Sequence, residues 1–378
     1  MRYKSGGSAF TEKIEKAVIV SCSPDKKASF NELSLLVETA GGEVVDELIQ
    51  KGKEDPAFLL RKGHLEKLQT LCKEKKVDLV VFNEELSPSQ TRNLENELDI
   101  KVIDRSGIIL DIFAQRAKTK EAKVQVALAQ SYYFLPRLVG KGVHLSRLGG
   151  GIGTRGPGEQ ALEYDRRRIR KRISSLKKEL LTIEKERKEQ RKKRKRDFLL
   201  CSIVGYTNAG KSTLLASLSD EVVHSDDKLF TTLDPLSRRV RIGDCDVIFT
   251  DTVGFIQDLP TCLFSAFRAT LEEIVLSDIV LHIVDISNPN FKNQMASCER
   301  ILEELSCASY PRIIVFNKID LLSDRDILSC FTQEYPHSIG ISAKNKENIN
   351  GLFLVFLNLL KSFLPHNLEN RRKGYLCM

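Results

Sequence analysis

The sequence predicts an α/β protein in three parts: an N-terminal parallel α/β domain, an antiparallel helical (coiled-coil) hairpin, and a second parallel α/β domain. Three observations carry this reading. Short apolar runs without period-two polarity alternate with helical patterns at both ends of the chain. Between them Leu162, Ile169, Ile173, Leu176, Leu180 and Ile183 recur at steps of seven, four, three, four and three, an a/d seam. Finally, a glycine-framed loop from Gly205 to Ser212 follows the apolar run Phe198 to Val204 and opens into Thr213-Leu214-Leu215. At 378 residues the chain is too long for one core. The pattern divides it into 1–105 (α/β), 106–197 (hairpin), 198–364 (second α/β domain) and a short tail, 365–378.

In chain order, Lys16 to Cys22 reads as a buried strand. Ser29-Phe30-Asn31-Glu32 has the form of a capping box, opening a helix that runs to Ala40 and stops at Gly41-Gly42. A strand at Glu43 to Ile49, a helix at His64 to Lys75 and a strand at Val77 to Phe82 follow. Ser87-Pro88-Ser89-Gln90 combines a cap, a first-turn proline and a box-closing Gln, and its helix ends near Asp99 before a strand at Ile100 to Ile103. This first domain carries no glycine fingerprint and no acid–base constellation, which suits a binding or scaffolding module.

From Ser106 to about Leu135 the apolar steps are helical, with Ile109, Ile112, Phe113, Val124, Leu128 and Tyr132. Gly140 to Gly158 breaks the pattern with glycines, Lys141, Arg147 and Arg155. No apolar face orders such a stretch, so it is a linker or a loop ordered by a polyanionic partner. Two helices joined by it would pair as a hairpin with the loop at the tip.

Charge is unevenly placed. The net charge is +8, yet Asp165 to Arg196 alone holds 17 Lys and Arg against 5 Asp and Glu, so the rest of the chain is net acidic. A run this one-signed points to phosphate contact more than to a solvated face. Candidate RNA contacts are Arg147, Gly149, Gly150, Gly151, Arg155, Arg166, Arg167 and Arg170. The nine cysteines are scattered with no C-x-x-C pair, which implies reduced thiols rather than a disulfide frame or a zinc site. No signal core opens the chain, and Ile349 to Leu364, interrupted by Asn350, Asn358 and Lys361, suits a helix packed on a sheet. A cytoplasmic, monomeric protein without a membrane span is expected.

The chemistry concentrates after Gly205. In Gly205-Tyr206-Thr207-Asn208-Ala209-Gly210-Lys211-Ser212 the glycines let backbone N–H groups converge on phosphate oxygens at a helix N-terminus. Lys211 would bridge the terminal phosphates, and the Ser212 hydroxyl would complete a Mg²⁺ shell. Thr231-Thr232-Leu233-Asp234 suits a loop whose Thr232 closes over Mg²⁺ and the γ-phosphate. Asp251-Thr252-Val253-Gly254 ends an apolar strand, where the carboxylate can hold a metal-bound water and the Gly254 N–H can reach the γ-phosphate. Asn317-Lys318-Ile319-Asp320 offers a carboxylate to guanine's N1–H and N2–H₂, and Ser342-Ala343-Lys344 offers amides to its oxygen. Adenine would leave that carboxylate unpaired, a discrimination of roughly 10⁴ or more. These elements, in this order at strand C-termini, mark a GTP-binding domain. The catalytic set is Lys211, Thr232 and Gly254; the metal set is Ser212, Thr232 and Asp251; Thr213 and Phe230 flank the nucleotide.

The order of these elements resembles the Ras-like P-loop GTPases of translation-factor type, and the wording resembles the HflX-type ribosome-associated GTPases. The matching stretches are VIDRSGIILDIFAQRA from Val102, GGGIGTRGPGE from Gly149, VGYTNAGKSTL from Val204, LFTTLDP from Leu229, DTVGFI from Asp251, FRATLEE from Phe267 and NKID from Asn317. The resemblance spans about Lys16 to Leu364. It implies an N-terminal HflX domain with its hairpin, a GTPase domain stimulated by the large ribosomal subunit, contact of the hairpin tip with ribosomal RNA, and a role in splitting or rescuing stalled ribosomes under stress. Two departures stand out: the usual GETQLE is here Gly158-Glu159-Gln160-Ala161-Leu162-Glu163, and the small extra C-terminal domain of many members is replaced by Pro365 to Met378. No motif for an ATP site is visible in the N-terminal domain.

Where many Ras-like proteins place a water-positioning Gln this chain has Phe255, so intrinsic hydrolysis should be slow and completed by a partner. Asn208 resembles the loop asparagine of K⁺-activated GTPases, which implies K⁺ beside the phosphates. Another RNA target, in ribosome assembly or tRNA modification, is the competing reading, and an adaptor with structural nucleotide is a second.

Overall fold

A computed structural model describes residues 14–22, 27–138, 157–219, 229–256 and 271–363. The chain divides into two compact units, Met1–Ile109 and Leu110–Met378.

The first unit is a four-stranded parallel sheet of order β2-β1-β3-β4, built from β1 (Lys16–Ser21), β2 (Glu43–Ile49), β3 (Leu79–Phe82) and β4 (Lys101–Asp104). Its helices are α1 (Lys27–Ala40), α2 (Lys62–Lys75) and α3 (Pro88–Leu98), and α4 (Arg105–Arg116) follows β4 directly. The apolar strands fill with Val18, Val20, Val80 and Phe82 against Leu65, Leu68 and Leu94 from the helices. At Ser87 the capping box forms: its hydroxyl accepts the Gln90 N–H at 3.2 Å and Gln90 Oε1 accepts the Ser87 N–H at 2.9 Å.

The same pattern at Ser29 does not cap a helix, because α1 already begins at Lys27. Ser29 and Glu32 instead turn inward to a buried arginine at the end of β4. Arg105, 4% exposed, meets Glu32 at 3.0 Å, donates to Asn83 Oδ1 at 3.0 Å and reaches Ser29 Oγ at 3.5 Å. A guanidinium without water needs such partners, and that need outranks the local cap.

In the second unit, α5 (Lys120–Arg137) and the 41-residue α6 (Pro157–Asp197) lie antiparallel. Val124 and Leu128 pack with Ile173 and Leu180, and Tyr132, Leu135, Ile169 and Leu176 extend the seam. The direction follows from Glu121 pairing with Arg187 while Lys177 sits over the Tyr132 ring. The helical pattern expected from Ser106 to about Leu135 is present as two helices, α4 and α5, divided where Thr119 caps the second by accepting the Ala122 N–H. The glycine-rich tip, with Arg147, Gly149, Gly150, Gly151 and Arg155, lies outside the described residues.

A six-stranded sheet of order β10-β9-β8-β5-β7-β6 completes this unit, with β5 (Leu199–Gly205), β6 (Leu236–Ile242), β7 (Cys245–Asp251), β8 (Ile279–Asp285), β9 (Arg312–Asn317) and β10 (Ser338–Gly340). All neighbours are parallel except β6 and β7. Around it stand α7 (Lys211–Ser219), helical residues 271–276, α8 (Phe291–Glu304), α9 (Asp326–Glu334) and α10 (Ile349–Phe363). The stretch at Ile349 packs Leu352, Phe356, Leu359 and Leu360 into the sheet's core, as expected of a helix on a sheet. β6 gives no strand signal in the sequence, since its LSRRVRI carries three arginines on an edge. Chain order reverses at β5, with β7 on one side and β8 on the other, so the loop after β5 stands at a topological switch point, the usual ligand position of such sheets. Among the described residues no helix is long and apolar enough to cross a membrane. The seven described cysteines are free thiols.

Candidate active site

The loop after β5 carries Tyr206, Thr207, Asn208, Ala209 and Gly210, and Lys211, Ser212 and Thr213 open α7. Asn208 is exposed and left-handed, at φ +61°. The segment after β7 is zipped to this loop: Thr207 N–H donates to the Phe255 carbonyl at 2.8 Å and Phe255 N–H to the Gly205 carbonyl at 3.0 Å. Gly254 therefore rides close over the loop. A Cβ there would lie 2.8 Å from Thr207 Cα and 3.0 Å from Lys211 Nζ, so only glycine fits. Phe255 itself is buried.

Lys211 is 6% exposed, and its ammonium donates to the Tyr206 carbonyl at 2.7 Å. Burial pushes its pKa down, while the Asp251 carboxylate holds it up. Asp251 is fully buried; burial pushes its carboxyl up, opposed by Lys211 and by hydrogen bonds from Ser212 and Thr232. Ser212 Oγ donates to Asp251 Oδ2 at 2.6 Å, Thr232 Oγ1 donates to the same oxygen at 2.7 Å, and the two hydroxyls are 2.8 Å apart. Thr232 thus faces inward while its neighbour Thr231 is exposed. Asp251 Oδ1 is buried without a hydrogen-bond partner. A buried carboxylate with one unpartnered oxygen beside two hydroxyls is an all-oxygen donor set that suits a hard divalent cation. Thr252, buried like Val253, turns away and donates to the Ile203 carbonyl at 2.7 Å. Phe230 is buried beside this group, also left-handed, at φ +52°.

On the other side of the loop Asn317 joins two segments. Its Nδ2 donates to the Ala209 carbonyl at 2.8 Å, and its Oδ1 accepts the Ala343 N–H at 2.9 Å. Lys318, left-handed at φ +66°, pairs with Asp285 at 2.7 Å, and Asp320 is half-buried in the short 3₁₀ turn Ile319–Leu321. Ser342 is buried and accepts the Asn345 N–H at 3.2 Å, while Lys344 is exposed. Asp285 is a participant that sequence reasoning missed. It ends a buried strand whose one other polar residue is His282, and only the β8–β9 pairing brings it opposite Asn317 and within reach of Lys318. Of the basic helix, Arg166 is half-buried, and Arg167 and Arg170 are exposed on α6.

A glycine loop at the switch point, a buried Lys–Asp pair with two converging hydroxyls, and an Asn-Lys-x-Asp turn at the next strand ends define a P-loop GTPase. Comparison with known proteins agrees. Three family models match in succession: "GTP-binding GTPase N-terminal" over 27–114, "GTP-binding GTPase Middle Region" over 116–194 and "50S ribosome-binding GTPase" over 200–318. The GTPase HflX of Caldanaerobacter subterraneus is 46% identical over 349 residues, covering 89% of this chain and 79% of that protein. The GTPase HflX of Escherichia coli is 40% identical, over 90% and 81%. The crystal structure of SsGBP with GDP superposes at a TM-score of 0.53 with 25% identity, covering 92% of this chain and 99% of that one. The chain belongs to the HflX family of GTPases, and it is a GTP-hydrolysing enzyme.

Proposed function

We propose that this GTPase works on the large ribosomal subunit, with the nucleotide held by Gly205 to Thr213, Phe230 to Thr232, Asp251 to Gly254, Asn317, Lys318, Asp320 and Ser342 to Lys344. The observation that carries the nucleotide reading is the convergence of Ser212, Thr232 and Asp251 within 2.6–2.8 Å beside Lys211. Mg²⁺ bound there would neutralise charge on the β- and γ-phosphates. Ser212 and Thr232 would hold it through their hydroxyls, and Asp251 through water. Lys211 exchanges its Tyr206 carbonyl for phosphate oxygens, and Gly254 N–H faces the γ-phosphate. Water then adds to the γ-phosphorus as the β–γ bridging bond breaks, and GDP and phosphate leave.

Phe255 offers this water no hydrogen bond, and its buried backbone is committed to the phosphate loop. Hydrolysis is therefore slow until a partner orders the loops around Thr232 and Gly254. K⁺ beside the exposed Asn208 would add positive charge at the same phosphates.

Support for the ribosome as that partner comes from the family description over 200–318 and from the one-signed charge of α6. Arg166, Arg167 and Arg170 on α6, with Arg147, Gly149, Gly150, Gly151 and Arg155 ahead of it, would contact ribosomal RNA phosphates. Splitting or rescue of stalled ribosomes is the corresponding cellular role. The test is turnover and co-sedimentation with isolated large subunits. Turnover rising with subunits, and binding stronger with a non-hydrolysable GTP analogue than with GDP, is the expected result. Equal turnover with and without subunits overturns it.

A further inference from the structure

We propose that Asp234 is a positioning residue for GTP hydrolysis: it fastens the loop carrying Thr232 to the N-terminus of α5, so that the helical hairpin sets where the Thr232 hydroxyl stands. The inference rests on the role given to Thr232 above. Asp234 lies two residues beyond Thr232. Its Oδ2 accepts the backbone N–H of Lys118 at 3.0 Å and of Thr119 at 3.2 Å, and its Oδ1 accepts the Thr119 hydroxyl. That hydroxyl also accepts the Ala122 N–H at 3.1 Å, which is the N-cap of α5. A carboxylate at this end of a helix meets unpaired amides and the positive end of its dipole together. Bonds of this kind are roughly twice as strong as neutral ones.

Two residues before Thr232 the loop is held again. Phe230, 2% exposed, packs its ring edge-on against Phe113 of α4, with centroids 5.0 Å apart. Thr232 is thus bracketed by an apolar and a polar contact to the helical segment. A second tie joins the hairpin to the helical residues 271–276. Arg187 of α6 grips Glu121 of α5 at 3.1 and 3.2 Å and lies 4.0 Å from Glu273. Glu273 lies among those helical residues, and its carbonyl accepts the Ser202 hydroxyl of β5 at 3.0 Å. The base of the hairpin therefore touches the Thr232 loop at Asp234 and the helical residues 271–276 at Glu273. Thr232 must meet the metal within about 0.5 Å of its productive place. A shift of α5 by a fraction of a turn moves Asp234, and Thr232 with it.

The test compares Asp234→Ala, Asp234→Asn, Thr119→Val and Thr119→Ser in the full chain. Asp234→Ala is expected to lower kcat for GTP about tenfold and to raise the Mg²⁺ concentration for half-maximal rate, with GDP affinity unchanged, since GDP does not use Thr232. Asp234→Asn keeps an acceptor and should retain part of the rate, and Thr119→Ser should retain most. Thr119→Val in the Asp234→Ala background should lower kcat no further, because the Thr119 hydroxyl reaches Thr232 through Asp234, while the cap it also gives Ala122 is read separately as stability. Hydrogen exchange of residues 229–233, read without nucleotide, should quicken in Asp234→Ala. Wild-type kcat and Mg²⁺ dependence in Asp234→Ala, or losses in kcat that add in the double variant, overturn the proposal. Faster exchange in a chain whose wild type proves indifferent to GTP would keep the latch and overturn the role of Thr232 instead.

Discussion

Gly210 and Asn317 approach so closely that a Cβ on Gly210 would stand 2.2 Å from Asn317 Nδ2. The glycine also sits at φ +93°, where other residues are strained. Asn317 in turn bonds both the phosphate loop and the Ala343 amide. Gly210→Ala must therefore push Asn317 away and uncouple phosphate from base recognition. The expected outcome is a loss of GDP and GTP affinity of about a hundredfold, equivalent to roughly 3 kcal/mol. Titration with a fluorescent guanine nucleotide checks it; unchanged affinity would show that the two loops act independently.

Ser212→Ala removes a hydroxyl that donates to Asp251 at 2.6 Å and leaves a more lightly paired buried carboxylate. GTP turnover should fall at least about tenfold at low Mg²⁺ and recover in part at high Mg²⁺. Lys211→Ala should abolish turnover at every Mg²⁺ concentration, since no metal replaces its charge at the phosphates. Steady-state rates over a Mg²⁺ series separate the two.

Asp320→Ala takes away the carboxylate offered to guanine's two N–H groups. Discrimination between GTP and ATP should collapse by about 10³-fold through weaker GTP binding, with ATP binding unaltered. Competition of each nucleotide for the labelled guanine site gives both numbers.

His282 lies in the middle of β8, 1% exposed, with neither ring nitrogen hydrogen-bonded. Burial pushes its imidazole down from 6.5 to about 3, with help from Arg312 and Lys211. The unfolded chain takes up the proton below 6.5 and the folded chain only near 3, so folding is fully favoured above 6.5 and weakens as the pH falls. His282 should contribute a decline of roughly 1 kcal/mol per pH unit across that window. Urea unfolding between those limits should show a shallower acid-side decline in His282→Leu than in the wild type. Parallel curves would refute the assignment.

Arg167 and Arg170 are exposed on α6. Replacing both by Ala should weaken binding to large ribosomal subunits and make it less sensitive to salt, the logarithmic slope falling by roughly 1 to 2. Hydrolysis in the absence of subunits should not change. Sedimentation at several salt concentrations reads the slope directly.

Much of the fold was legible because its signals are local. The box at Ser87 and the α6 seam depend on residues within a few turns of one another. The Ser29 box failed because Ser29 and Glu32 answer to Arg105, 76 residues beyond Ser29, and a buried guanidinium leaves no sequence period. β6 was hidden for a similar reason. Its identity as a strand comes from pairing with β7, while Arg238, Arg239 and Arg241 disguise it as a polar loop. In the site, the glycine loop and the Asn-Lys-x-Asp turn announce themselves by composition. The partners that hold them, Asp285 for Lys318 and Thr119 for Asp234, are joined only by the topology.

The arginines of β6 have one more consequence. Among the described residues β6 and β10 are the two borders of the six-stranded sheet, the positions where strands of separate molecules can pair. One border is studded with cationic side chains, and the other is three residues long. Neither offers a flat apolar template for fibre growth, so this sheet should resist edge-to-edge pairing with another copy.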